Sequence, residues 1–256
     1  TAGLYGLRSL RFVGFHQRAA YPPVTVPIIP SAYWQFDGAL PQTQTLGPMT
    51  FGTGASTNYD VKTGGKVSKY ISVNNEHRGF GIGHMPASSG PFTFEMVWRP
   101  TNLRGTGYII DTQDGSFEFT TNFQTNSGSP TDPYFKLVVG TDAGQQTLQI
   151  NLDGTGPRSY DWWNTEEHHV AFVVGDGKIQ MWVDGTLPSG FSKNVSGLTS
   201  LSTSGGLICF NARSSTPTTC EINYPYILTR GTFDEVAFYN QKIPDNLIAE
   251  HAQNMQ

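Results

Sequence analysis

Four successive residues, Glu166-Glu167-His168-His169, bring two carboxylates and two imidazoles together, the residue types of proton transfer and metal ligation. Zinc takes three or four ligands held by an oriented outer shell. Adjacent histidines at the start of a strand face opposite sides of it, and no third ligand is close in sequence. The spacing therefore predicts structural histidines, His169 polar at the surface and His168 half-buried at the strand edge. His77 and His84 flank Gly79-Phe80-Gly81-Ile82-Gly83, which has no following helix to receive a phosphate and reads as a turn or bulge. Neither a Gly-x-Ser-x-Gly elbow nor a reactive Cys–His context occurs.

Glycoside hydrolysis needs a carboxyl pair about 5–5.5 Å apart for retention, or wider for inversion. On one strand such a pair comes from alternate residues. Glu95 and Glu118 each stand as the only acid of their alternating segment, and Asp234 and Glu235 are adjacent, which predicts opposite faces. The pattern predicts a protein that is not an enzyme. Binding chemistry has a better candidate in Tyr160-Asp161-Trp162-Trp163-Asn164, where Tyr160, Trp162, Trp163 and Asn164 combine aromatic faces with an amide suited to carbohydrate. Two successive tryptophans cannot both enter one core through one strand face, and an exposed loop tryptophan is a binding hot spot. The competing structural reading has both sealing the end of the fold. Asn194-Val195-Ser196 fits a glycosylation acceptor, a match expected once by chance in a chain this long.

The elements that must position these residues are mostly strands. Gly 29 and Pro 16 mark many turns, and charged residues at 14% are sparse, while aromatics at 12% supply a core and exclude a disordered chain. Phe92, Phe94, Met96 and Trp98 alternate with Thr93, Glu95 and Arg99; Phe117 and Phe119, and Leu148, Ile150 and Leu152, repeat the pattern. Val170, Phe172 and Val174 lead into Gly175-Asp176-Gly177, and Ile179, Met181 and Val183 lead out, which predicts a hairpin. After Pro244, the residues Leu247, Ile248, His251, Ala252 and Met255 recur at helical spacing. Cys209 and Cys220 flank turn-forming residues, and the sequence leaves both a bridge and two thiols open.

Residues 1–30 differ from the rest. Leu7-Arg8-Ser9-Leu10-Arg11-Phe12 is short, apolar and basic, and Pro22, Pro23, Pro27 and Pro30 favour an extended path. Residues 1–36 carry Arg8, Arg11 and Arg18 and no acid, against a chain total of −4. This predicts an extended arm that contacts a protein partner through Arg8, Arg11, Phe12 and Arg18. The overall acidity, with no basic stripe, argues against nucleic acid. No apolar stretch approaches the ~18 residues of a membrane span, and Thr1-Ala2-Gly3 does not read as a signal peptide.

Four segments in order resemble the laminin-G-like jelly roll of the concanavalin A-like lectin/glucanase superfamily. They are Tyr33-Trp34-Gln35-Phe36-Asp37-Gly38, then Phe92 to Pro100, then His168 to Phe172 running through Trp182-Val183-Asp184-Gly185, and finally Gly231 to Asn240 with Ile243-Pro244 and the short helix. The resemblance covers residues 31–256 and leaves the arm outside. It implies an all-β, two-sheet antiparallel jelly-roll sandwich with a concave face, a short C-terminal helix, and binding of glycans or proteins. It also implies a rim calcium ion, for which Asp37 and Asp234 are the candidate ligands through the proximity of opening and closing strands.

Two functions fit. One is a non-catalytic subunit displayed on a larger assembly and anchored by residues 1–30, with a virion surface, such as a bacteriophage decoration or attachment protein, as the setting. The other is a free or extracellular lectin-like module, calcium-dependent or not, that grips a glycan through the Tyr160–Asn164 region or the concave face.

Overall fold

Which face of each strand turns inward is decided by alternating bulky apolar and polar residues, and in the computed structural model two antiparallel sheets pack inner face to inner face. The structure describes residues 28, 30–34, 59–63, 69–73, 80–84, 90–103, 105–112, 115–123, 125–126, 129–130, 133–141, 144–163, 166–195, 207–210, 213–216, 219–221 and 229–254. Sheet A contains β1 (Ala32–Trp34), β2 (Tyr59–Thr63), β3 (Lys69–Val73), β5 (Phe92–Leu103), β12 (His168–Gly175), β13 (Lys178–Val183), β14 (Ser192–Asn194) and β18 (Thr229–Tyr239). They run in the order β14-β13-β12-β5-β18-β3-β2, with β1 also paired to β18. Sheet B contains β4 (Phe80–His84), β6 (Gly105–Thr112), β7 (Phe117–Phe123), β10 (Tyr134–Thr141), β11 (Gly144–Asn151) and β15 (Leu207–Phe210), in the order β11-β10-β7-β6-β15-β4. Two small hairpins, β8 (Thr125–Asn126) with β9 (Ser129–Pro130) and β16 (Arg213–Thr216) with β17 (Thr219–Glu221), stand apart. The expected two-sheet antiparallel sandwich is therefore the fold, with the expected helix near its C-terminus.

The core is aromatic. Phe92, Phe94, Met96 and Trp98 of β5 point between the sheets with Phe172 and Phe238, and meet Phe117, Phe119 and Phe135 from sheet B, all of them buried. Rings pack edge to face, as their quadrupoles prefer: Phe92 on Phe117 at 5.8 Å and 83°, Trp98 on Phe119 at 5.6 Å and 80°. The β12–β13 hairpin closes through Asp176 and Gly177 at φ 50° and 69°, the left-handed pair that matches strand twist.

The other face of sheet A is covered too. Helix α2 (Asp245–Asn254; α1 is a single turn, Tyr160–Trp163) lies across it. Ile248 and Ile243 pack there with Val97, Ala171, Val173, Trp182, Ala237, Tyr239 and Tyr33. The helix starts where the Pro244 carbonyl accepts the amides of Leu247 and Ile248. It rests on the Asp184-Gly185 turn. Gly185 has φ +73°, and a Cβ there would stand 2.8 Å from the Ala249 Cα, so only glycine permits this approach.

Gly79–Gly83, read from sequence as a turn or bulge, contributes to a strand, β4, that contains a bulge. Leu207 opposes His84 and Ile208 opposes Ile82, which leaves Gly83 as the extra residue. Cys209 on β15 is disulfide-bonded, and Cys220 is the other cysteine of the sequence. At the sandwich rim the Lys193 ammonium on β14 donates to the Thr147 carbonyl on β11 at 2.8 Å, joining the two edge strands. Arg8, Arg11, Phe12, Arg18, Asp37 and Asn164 lie outside the described residues.

Candidate functional site

The aromatic cluster sits at one end of the sandwich, after a 3-10 turn at Gly156–Arg158. Its two tryptophans have different fates because successive helical residues diverge around the axis. Trp163 is fully buried, packs on Trp98 and Phe135 at 5.5 and 5.0 Å, and donates Nε1–H to the Pro157 carbonyl at 2.9 Å. It plugs the core and presents no surface to a ligand, which corrects its assignment as a carbohydrate contact. Trp162 is half-buried and lies flat on the His168 ring, centroids 3.8 Å apart and planes 23° apart.

His168 in turn is fixed by Asp184, whose Oδ2 is 2.8 Å from Nδ1, while Asp184 Oδ1 accepts the His169 amide at 2.9 Å. Asp184 itself takes φ 47° in its turn. Trp162 is thus a pre-positioned aromatic, with exposed Asp161 and Glu166 beside it in sequence. Of the expected cluster, the structure brings Trp162 to the surface, sends Trp163 inward, and places Tyr160 in the same helical turn.

His168 and His169 are both buried, at 0% and 2% exposure, not edge and surface residues. His168 lies on the inner face opposite Trp98, packed against Trp162 and Trp163, while His169 lies on the other face, which a third layer covers. Glu95, at the centre of sheet A, is covered by α2. Its Oε2 lies 2.8 Å from His251 Nδ1 of α2, and its Oε1 lies 3.3 Å from His169 Nε2 of β12. The Tyr239 ring of β18 lies over the His251 ring, centroids 6.4 Å apart. Burial pushes the Glu95 carboxyl up. The charge of His251 and the hydrogen bonds and charge of both histidines outweigh it and hold the group down at about 2, from an ordinary 4.5. Burial first, then the charge and hydrogen bond of Glu95 and the charge of Glu235, raise the Tyr239 hydroxyl well above its usual range.

Asp234 and Glu235 do not diverge as strand geometry predicts. A bulge in β18 between Asp234 and Ala237, with Glu235 at φ 49°, breaks the period of two. Phe233 and Val236 still face the inner core, whereas Asp234 pairs with Val97, and Glu235 Oε2 accepts the hydroxyl of Tyr33, a residue of the α2-side cluster. Both carboxylates therefore lie on the covered face. Asp234 is 2% exposed, and its Oδ1 accepts the Glu235 amide at 3.0 Å. Among the described residues no group of three or more His, Cys, Asp or Glu is arranged to hold a metal ion.

Sheet B keeps a different face. Asp111 of β6 and Glu118 of β7 are cross-strand partners next to Ile110 and Phe119, which point inward, so the two acids share the outer face. Asp111 is buried and is the register partner of Cys209. A search for acids within one strand misses such a pair; the usable signal was their symmetric placement about the turn near Gly115. Farther along, Gln149 and Asn151 of β11 are exposed and Tyr134 and Lys136 of β10 half-buried, as Tyr134–Asn151 and Lys136–Gln149 pairs.

No protein-family model and no curated protein matches the chain. Solved structures of the same fold do. The ligand binding domain of botulinum neurotoxin serotype D, solved in complex with N-acetylneuraminic acid, superposes with a TM-score of 0.61 at 9% identity over 88% of this chain and 50% of that one. The binding domain of botulinum neurotoxin serotype G gives 0.58 at 10% identity, over 88% and 51%. The binding domain of Paraclostridial Mosquitocidal Protein 1 gives 0.55 at 15% identity, over 78% and 46%. The chain spans about half the length of these domains.

Proposed function

We propose that this chain is a non-catalytic binding module, a lectin-like sandwich of the laminin-G type carried by its N-terminal arm on a larger assembly such as a virion surface. The observation that carries this reading is the fate of the acids of sheet A. Glu95 is committed to His169 and His251, Asp234 to a backbone amide, and Glu235 to the Tyr33 hydroxyl, all beneath a helix. The open surfaces instead offer a half-exposed tryptophan and a strand of amides. Fold neighbours that are binding domains, one solved in complex with N-acetylneuraminic acid, support the same class.

The ligand class we assign is a glycan, taken at Trp162 with Tyr160 and Asn164 or on the Tyr134–Asn151 face. The test is a glycan array with and without calcium, repeated with Trp162→Ala and with Gln149→Ala/Asn151→Ala. Binding lost in one variant assigns the surface; binding unchanged in both removes these sites. Hydrolysis of a bound glycan that depends on Asp111 and Glu118 would overturn the non-catalytic reading. For display, deletion of residues 1–30 abolishes incorporation into the assembly while the sandwich stays folded. Retained incorporation refutes the anchor.

A further inference from the structure

We propose that α2 is a releasable cover over sheet A whose docking is set by the protonation of His169 and His251. The centre of this interface is ionic. Glu95 from β5 is fully buried, and the groups within ion-pair distance of it are two imidazoles, one from the sheet and one from the helix. The groups around them are Tyr239, Asp234 and Glu235 of β18 and Tyr33 of β1, so the surroundings add negative charge or hydroxyls. With both imidazoles neutral, the buried carboxylate has no counter-charge among the groups named. A buried charge without a counter-charge is strongly unfavourable. Its relief is water, and the shortest path for water is to lift the helix.

The helix is built to lift. At ten residues it is shorter than helices that persist alone in water, so leaving the sheet means unfolding locally. Its docked state is incompletely satisfied: Glu250 Oε1 and Asn254 Nδ2 on the helix, and His169 Nδ1 and Trp182 Nε1 beneath it, are buried without a hydrogen-bond partner among the described residues. The strands below are held by backbone pairing instead, β5 on both sides by β12 and β18. Release uncovers Tyr33, Trp182 and Tyr239 together, an aromatic face closed at acidic pH and opened at alkaline pH.

Hydrogen exchange read by mass spectrometry, corrected for intrinsic rates, tests this on the full chain at about pH 6 and about pH 9, either side of imidazole titration. Amides of 245–254 lose at least about tenfold protection at the higher pH, the equivalent of one unit of coupling, while β5 and β12 keep theirs. Glu95→Gln removes the pH dependence. His251→Gln brings protection at the lower pH down to the wild-type level at the higher one. Equal protection of the wild-type helix at both pH values overturns the proposal. So does joint loss with β5 and β12, a pH dependence that survives Glu95→Gln, or wild-type protection in His251→Gln.

Discussion

Acid is the sharpest probe of the buried carboxylate. Glu95 titrates at about 2 in the folded chain against an ordinary 4.5. A depressed folded value means that its stabilisation is complete above the unfolded value and drains away as pH falls through the folded one. The difference corresponds to about 3 kcal/mol, a large share of the 5–15 kcal/mol that holds a typical domain together. Other carboxylates titrate in the same range, so the quantity to measure is the gap between wild type and Glu95→Gln. Denaturant unfolding with the disulfide intact supplies it. We expect wild type to be the more stable by about 3 kcal/mol near pH 6, with the gap constant down to about pH 4.5 and closing toward pH 2. A gap that does not change with pH would refute the assignment of this stabilisation to an ionised Glu95. A gap that widens in acid would reverse its sign.

Other variants read individual contacts. Trp163→Ala removes a buried indole and its bond to Pro157 and should cost about 3–5 kcal/mol, whereas Trp162→Ala, half-buried, should cost less than half of that; thermal unfolding of the pair checks the difference. Gly185→Ala forces a methyl against the Ala249 backbone in a left-handed turn and should destabilise by about 1–3 kcal/mol, lowering the melting temperature by several degrees. Reducing the disulfide at Cys209 should cost about 2–4 kcal/mol by loop-closure entropy, seen as a lower urea midpoint.

Much of the sandwich was legible because bulky apolar residues at every second position mark the face turned to the core, as they do in β5, β7 and β11. The hairpin at Asp176-Gly177 and the helix after Pro244 carried their own local signals. What alternation could not show is the third layer. Thr93, Glu95 and Arg99 read as the polar alternates of the strand, and nothing within β5 says that a helix more than a hundred residues later will cover that face. The same blindness placed His169 at the surface. At β18 the bulge defeated the rule that neighbours diverge, since one extra residue turns Asp234 and Glu235 to the same side. At Trp162-Trp163 the sequence left open whether one or both seal the end of the fold, because a single helical turn, which no alternation announces, sets where each points. The cross-strand meeting of Asp111 and Glu118 needed a register that no single segment contains.

The Lys193 bond to the Thr147 carbonyl has a consequence for crowded copies of the chain. Edge strands invite foreign backbones to zip on and seed fibrils, and a plugged, positively charged rim discourages that growth. Molecules brought shoulder to shoulder on one scaffold would meet an ammonium where a vacant acceptor would otherwise wait, and so remain separate particles.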